Sequence, residues 1–256
     1  NLKIIDIGSD FRINDPDSYK TWYGTDHIIP ELLKDFVYGL PEINSGLIKK
    51  SSYIANPGCY PTSILLGLAP LLKSGQKLDN ISIDSKSGVS GAGRKLKEPY
   101  LFGSINNNFY AYSTQNHRHI GEMEQEIRKI SGLDYKIDFT PHLLPVNRGI
   151  FSSIYCKVAE DQPEDFKESI IKDYRDFYKN SIFVKVFADG IPQLKDVVGT
   201  NRCLIGINHD KRTSTLKIFS VIDNLLKGAA GQAVQNMNLM FGLKESEGLV
   251  SDGLYS

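Results

Sequence analysis

The residue in this chain best suited to covalent chemistry is a cysteine set between a Pro-Gly turn and the start of an apolar helix. It lies in Asn56-Pro57-Gly58-Cys59-Tyr60-Pro61-Thr62-Ser63. Pro61 suits a first helical turn, where its missing N–H would have gone unpaired. Ile64, Leu65, Leu66, Leu68, Leu71 and Leu72 then continue a helical pattern, predicting a helix over 62–73. A thiol at a helix N-terminus meets the positive end of the helix dipole and several unpaired N–H groups; both favour the nucleophilic thiolate. The commoner fate of a lone cysteine is a small buried apolar side chain. That reading suits Cys156 and Cys203, which lie in apolar strand-like runs.

A nucleophilic thiol needs a partner for proton transfer. His117 and His119 flank Arg118 and precede Glu122, just ahead of a predicted helix; a His-x-His pair there is as well explained by solvated helix-entry residues. His209 is expected exposed in a hairpin turn, His27 in a loop, and His142 in a strand beside Pro141 in a structural role. A zinc site at His117 and His119 fails for want of further spaced ligands, so no metal is expected. The run Ser87-Gly88-Val89-Ser90-Gly91-Ala92-Gly93-Arg94 follows a predicted strand. Its small residues let backbone lie against a flat ligand and its N–H groups can cradle an anion. It is not the dinucleotide fingerprint, since no clear helix follows; a plain flexible loop is the alternative. Arg12, Arg94, Arg118 and Arg148 all stand at element ends, where guanidinium could grip carboxylate or phosphate. Asp223-Asn224 closes a predicted strand before a helix rich in small residues, an arrangement suited to a helix N-terminus near a ligand.

The elements that must position these groups alternate early in the chain and become strand-rich later. Strands are predicted at 2–7, 51–55, 80–86, 135–144, 149–158, 182–187, 202–208 and 215–222, and helices at 62–73, 119–131, 163–179 and 228–241. Residues 205–220 read as a hairpin. This order points to a piece of an α/β domain joined to an α+β domain with a mixed sheet. The 256 residues suffice for one large or two modest domains. Thirty basic and thirty acidic residues cancel, which gives no electrostatic case for nucleic acid or an anionic membrane. No apolar run is long enough to span a bilayer. Three scattered cysteines rule out a disulfide framework and suit a reducing, cytoplasm-like compartment.

Taken together, the stretches IDIGSDFR, Trp22-Tyr23-Gly24, VYGLPEI, ANPGCYPTS, GVSGAGRK, HRHIGE, FTPHLLPVNRGI and VIDNLLKGAAGQAVQNMN resemble the N-acetyl-gamma-glutamyl-phosphate reductases, a family of the aspartate-semialdehyde dehydrogenase-like group. They run in that family's order from residue 4 to residue 242. The usual His-Arg-His-Thr-Pro-Glu reads His-Arg-His-Ile-Gly-Glu here, which keeps both histidines. The resemblance implies Cys59 as nucleophile and His117, the first histidine of the motif, as acid/base. It implies Ser87, Gly88, Ser90, Gly91, Ala92, Gly93 and Asn224 at the nicotinamide end of an NADP site. Substrate binding would fall to Arg12, Arg94, Arg118, His119 and Arg148, with phosphate and carboxylate unassigned among them.

The implied fold is a partial Rossmann domain with a second domain built on a mixed, mostly antiparallel sheet. Residues 1–58 and 222–256 would belong to the NADP-binding domain and 59–221 to a catalytic and dimerisation domain. Family members open with a Gly-rich dinucleotide loop; this chain starts at the strand after it, so we expect a piece of a longer enzyme that by itself binds NADP poorly. The implied reaction is NADPH-dependent reduction of an N-acetyl-glutamyl phosphate through a cysteine thioester, in arginine biosynthesis, by a homodimer or homotetramer. The rivals are the same chemistry on an N-blocked aminoadipyl phosphate in lysine biosynthesis, a cysteine hydrolase built on Cys59 and His117, and a non-catalytic fragment.

Overall fold

The computed structural model describes residues 2–93, 97–249 and 252–254; Arg94, expected to bind substrate, lies outside the described residues. In chain order these form β1 (Ile4–Asp6), α1 (Pro16–Tyr23), β2 (Val37–Tyr38), α2 (Pro41–Ile48), β3 (Tyr53–Ala55), α3 (Cys59–Lys73), β4 (Ile81–Gly88), α4 (Phe102–Ile105), β5 (Tyr110–Ala111), α5 (His119–Ser131), β6 (Ile137–Leu144), β7 (Ile150–Lys157), α6 (Phe166–Tyr178), β8 (Val184–Val186), β9 (Cys203–Asp210), β10 (Thr215–Ile222) and α7 (Gly231–Met240), with a π-helical turn at Leu226–Ala230.

The strands form two sheets. A three-stranded parallel sheet runs β1-β3-β2, and a seven-stranded sheet runs β5-β6-β4-β7-β10-β9-β8. In the larger sheet β4/β6 and β8/β9 are parallel and the other four pairs antiparallel, the mixed and mostly antiparallel arrangement expected. Alternation sets its faces: Ile81, Ile83, Ser85 and Ser87 of β4 are buried, while Ser82, Asp84 and Lys86 between them are half-exposed. The buried face packs beneath α3, which is itself buried from Tyr60 to Leu72. Each of its leucines removed from water contributes about 1.5–3 kcal/mol.

Helix α3 contains Pro70, which cannot donate to the carbonyl of Leu66. Tyr178 on α6 donates its hydroxyl to that carbonyl at 2.6 Å, and Tyr174 bonds the carbonyl of Gly67 at 2.7 Å. Two buried tyrosines thus satisfy backbone groups on α3 and fix α6 across it.

The chain finally returns to the small sheet. On α7, Gln232 and Asn236 both donate to the carbonyl of Gly39, and Asn236 also donates to the Asn56 side chain. Leu239 and Met240 complete a core with Ile48 and Ile54.

Helix α5 and strand β10 fall where the sequence predicts them. Helix α3 starts at Cys59, not at residue 62, because Gly58 adopts the extended N-cap conformation and Pro61 sits inside the first turn. Helices α1 and α2 were not anticipated. Each has eight residues, too few for a clear apolar stripe, and each is marked instead by Pro at its first position. Asp15 caps α1 by accepting from the Ser18 N–H at 2.8 Å. His209 is corrected: it lies on β9, half-buried and edge-on to Phe166, and the turn begins after it.

Candidate active site

Cys59 is the first residue of α3, and the loop before it is held by Glu122 and Arg12. The Gly58 N–H donates to Glu122 Oε1 at 2.8 Å, and the Tyr38 hydroxyl donates to the same oxygen at 2.8 Å. Arg12 Nη1 lies 3.7 Å from Glu122 Oε2. The rest of the Arg12 guanidinium donates to the carbonyls of Asn56 at 2.7 Å and Ile7 at 3.0 Å. A Cβ at Gly58 would sit 2.8 Å from His119 Nε2 and 3.0 Å from Glu122 Oε2, so this position admits only glycine without displacing both.

The expected bias toward thiolate is not the net outcome. Burial pushes the Cys59 thiol above its ordinary value. Arg12 and the N–H groups of Tyr60 and Cys59 itself pull it down without prevailing. Cys59 keeps some exposure, yet the packing around its sulfur outweighs the helix N-terminus. Cys156 and Cys203 are fully buried in strands, and burial raises each to about 12.

His117 is half-buried, with its ring edge-on to Tyr60, Tyr112 and Phe139. Burial, aided by Arg118, lowers its pKa to about 4. Its Nδ1 accepts the backbone N–H of His119 at 3.2 Å. The ring is therefore neutral at pH 7 with its proton on Nε2, a hydrogen-bond donor. His119 is buried and held neutral by burial and by His117.

These groups share one cavity of about 510 Å³. Cys59, His117, Arg118 and His119 line it together with Ser87, Gly91, Ala92 and Gly93. Lys97, Tyr100 and Tyr112 complete the rim; the sequence reading passed over these three, together with Tyr60 and the anchoring role of Glu122. The signals available were the adjacency of Tyr60 to Cys59 and a cation just beyond the Gly-rich run. Hollows of about 560 Å³ by Phe183 and Lys185 and about 610 Å³ by Trp22 and Gln125 are larger but contain no cysteine or histidine.

The remaining expected site residues build the cavity rather than line it. Gly88 N–H donates to the Gly149 carbonyl at 2.9 Å, and Ser90 Oγ donates to the Asn147 carbonyl at 2.6 Å. Asn224 accepts from the Gly149 N–H at 2.7 Å and donates to Ser90 Oγ at 3.0 Å, which ties the Gly-rich run to the loop after β6. Arg148 pairs with Asp223, itself fully buried, at 2.8 Å. The guanidinium groups of Arg12 and Arg148 are thus engaged inside the protein, and among the described residues Arg118 is the arginine that lines the cavity. Behind Cys59, a Cβ at Gly228 in the π turn would lie 2.9 Å from the Cys59 Cβ. Among the described residues no group of three or more His, Cys, Asp and Glu is placed to hold a metal ion, and no helix is long and apolar enough to cross a membrane.

Comparison with known proteins gives a consistent result. Residues 59–224 match the family described as semialdehyde dehydrogenase, dimerisation domain. An N-acetyl-gamma-glutamyl-phosphate reductase of Pelotomaculum thermopropionicum is 52% identical over 256 residues, covering 99% of this chain and 73% of the relative. One from Thermoanaerobacter sp. is 51% identical, covering 97% and 71%. Among solved structures, aspartate semialdehyde dehydrogenase II from Vibrio cholerae superposes with a TM-score of 0.63 at 22% identity, over 82% of this chain and 69% of that one. The enzyme from Francisella tularensis gives 0.64 at 17% identity, over 81% and 71%. At these identities the structural likeness establishes the fold alone.

Proposed function

Because this chain belongs to the N-acetyl-gamma-glutamyl-phosphate reductase family of oxidoreductases, we propose that it reduces the acyl phosphate of an N-acetylated glutamate to the semialdehyde, releasing phosphate, with Cys59 as nucleophile. The observation that carries this reading is the meeting of Cys59, at the first position of α3, with neutral His117 on the wall of one cavity.

The Cys59 sulfur forms a bond to the acyl carbon as the carbon–oxygen bond to phosphate breaks, leaving a thioester. The N–H groups of Cys59 and Tyr60 at the open helix end stabilise negative charge on the sulfur before attack and after release. A nicotinamide cofactor, NADPH in our reading, supplies the hydride when bound. Gly91 and Gly93, which line the same cavity as Cys59, leave surface free of side chains, which fits a flat ring beside the sulfur. Collapse of the resulting tetrahedral oxyanion breaks the carbon–sulfur bond, forming the aldehyde and returning the thiolate. His117, with its proton on Nε2, donates to the developing oxyanion. Arg118 and Lys97 offer positive charge to the anionic ends of the substrate.

In this proposal 59–221 is the catalytic and dimerisation domain, and 1–58 with 222–256 belongs to the nucleotide-binding one. The chain works in the cytoplasm as a homodimer or homotetramer. The open face of the large sheet, with half-buried Phe151, Tyr155 and Phe219, is the contact surface. The test is phosphate-dependent reduction of NADP with the semialdehyde, the reverse reaction. With NADP raised to compensate for weak binding, turnover is expected in the parent and none in Cys59→Ser; near-parental turnover in Cys59→Ser would refute the assignment.

A further inference from the structure

The π turn at Leu226–Ala230 forms the back wall of Cys59. Its bonds run Gly228 N–H to the Asp223 carbonyl and Ala230 N–H to the Leu225 carbonyl, both at 2.9 Å and both spanning five residues. Such a turn is wider than an α-helical one and needs a cause to persist. At its centre stands Lys227, which precedes Gly228 and is fully buried. Its ammonium donates to Glu42 Oε1 on α2 at 2.6 Å and to Gln235 Oε1 on α7 at 2.7 Å. Gln235 in turn bonds Glu42, Glu245 and Asn201. Neither Lys227 nor Glu42 lines the cavity. A buried ion pair contributes little net stability compared with an apolar pair of similar size, and its best-attested use is to fix register.

We propose that Lys227 and Glu42 are positioning residues: the buried pair locks the π turn so that Gly228 presses on Cys59 and sets where the thiol stands. Without the lock, the turn relaxes toward α-helical winding, the backbone of Gly228 withdraws, and water reaches the sulfur. The other charged or titratable groups that bear on the thiol are Arg12, Glu122, Tyr60 and Tyr112, with His117, Arg118 and His119 lining the same cavity; none belongs to the π turn. The inference rests on Cys59 being the reacting thiol.

The experiment compares parent with Lys227→Met/Glu42→Gln, which removes both charges together. Thermal melting is read alongside the pH dependence of iodoacetamide alkylation, with the number of labelled cysteines counted by mass. The double variant is expected to melt close to the parent and to alkylate at one cysteine only. Its alkylation at pH 7.5 should be about tenfold faster, with the pH midpoint shifted by about one unit toward acid. Turnover in the reverse reaction should fall. A purely structural pair predicts instead a lower melting temperature with the alkylation midpoint unchanged. Alkylation within twofold of the parent, at an unchanged midpoint, overturns the inference and leaves the assignment of Cys59 standing; only turnover by Cys59→Ser removes the latter. If the double variant does not fold, Gln235→Leu decides, since it keeps the ion pair but takes away the second anchor of the ammonium. It must accelerate alkylation in the same direction, and an unchanged rate overturns the proposal equally.

Discussion

Replacing Glu122 with Gln should make the protein less stable and its thiol more acidic at once. Glu122 is completely buried and Arg12 is 7% exposed. Gln retains an oxygen for the Gly58 N–H and the Tyr38 hydroxyl, so both 2.8 Å hydrogen bonds survive. What disappears is the negative charge 3.7 Å from Arg12. At an effective dielectric of about 20, two unit charges at that separation attract by about 4 kcal/mol. Burial raises the Glu122 pKa in spite of Arg12, so relieved desolvation offsets part of this attraction and the loss falls at the lower end of the roughly 3–5 kcal/mol seen when one member of a buried pair is removed. The amide NH₂ that replaces Oε2 also faces the guanidinium, donor to donor. In a chain of this length about 3 kcal/mol corresponds to a fall in Tm of about 6–12 °C. The Cys59 thiol responds with the opposite sign: Glu122 raises its pKa and Arg12 lowers it. Removing Glu122's charge leaves Arg12 unopposed, so the alkylation midpoint should move to lower pH. Calorimetry and pH-dependent thiol labelling on one sample read both effects. A Tm within about 2 °C of the parent, or a thiol midpoint that rises, would refute the electrostatic account of this loop.

Stability should also fall with acid over a defined window. The folded pKa of His117 is lowered from 6.5 to about 4, so between those values the unfolded chain binds a proton that the folded chain does not. Stability is therefore full above about pH 6.5 and declines as pH falls toward 4. At 1.36 kcal/mol per pH unit this is limited to about 3 kcal/mol from His117, with His119 adding in the same direction. Urea midpoints at pH 7 and pH 5 measure it, and His117→Asn should flatten the difference. His117→Asn should also slow turnover by about 10²–10⁴-fold without abolishing it, as loss of a proton-transfer group does; an unchanged rate would remove His117 from the chemistry. Gly121→Ala places a Cβ 2.2 Å from Cδ1 of Trp22, the sole tryptophan. Despite alanine's helix propensity, overpacking should cost about 1–3 kcal/mol and alter Trp22 fluorescence, whereas a gain in Tm would show that α1 moves aside freely.

How legible the molecule was depended on the length scale of each signal. Helix α5 could be placed because thirteen residues repeat an apolar face from Ile120 through Met123 to Ile127. Strands β4 and β10 could be placed by two-residue alternation. Helices α1 and α2 needed a different signal, a proline at the first position with Asp15 before one of them. Cys59 was found from its local setting, but the direction in which its pKa moves was not, because burial comes from Gly228 and α5, far away in the chain. Arg12 and Arg148 show the same limit. A guanidinium spent on Glu122 or Asp223 looks identical in sequence to one free to hold a substrate.

The return of α7 to the small sheet has a consequence for how the protein is made. Gly39 and Asn56 receive their hydrogen bonds from Gln232 and Asn236, and the last of these links spans 180 residues. At about 5–20 residues per second, a ribosome needs on the order of ten to forty seconds to deliver the second half of that bond after the first has emerged. Gly228 is synthesised in the same late stretch. Throughout that interval Cys59 lacks its back wall. Completion of the final helix is thus the assembly step that turns a harmless cysteine into a site, and a nascent chain arrested before it should label like a free thiol.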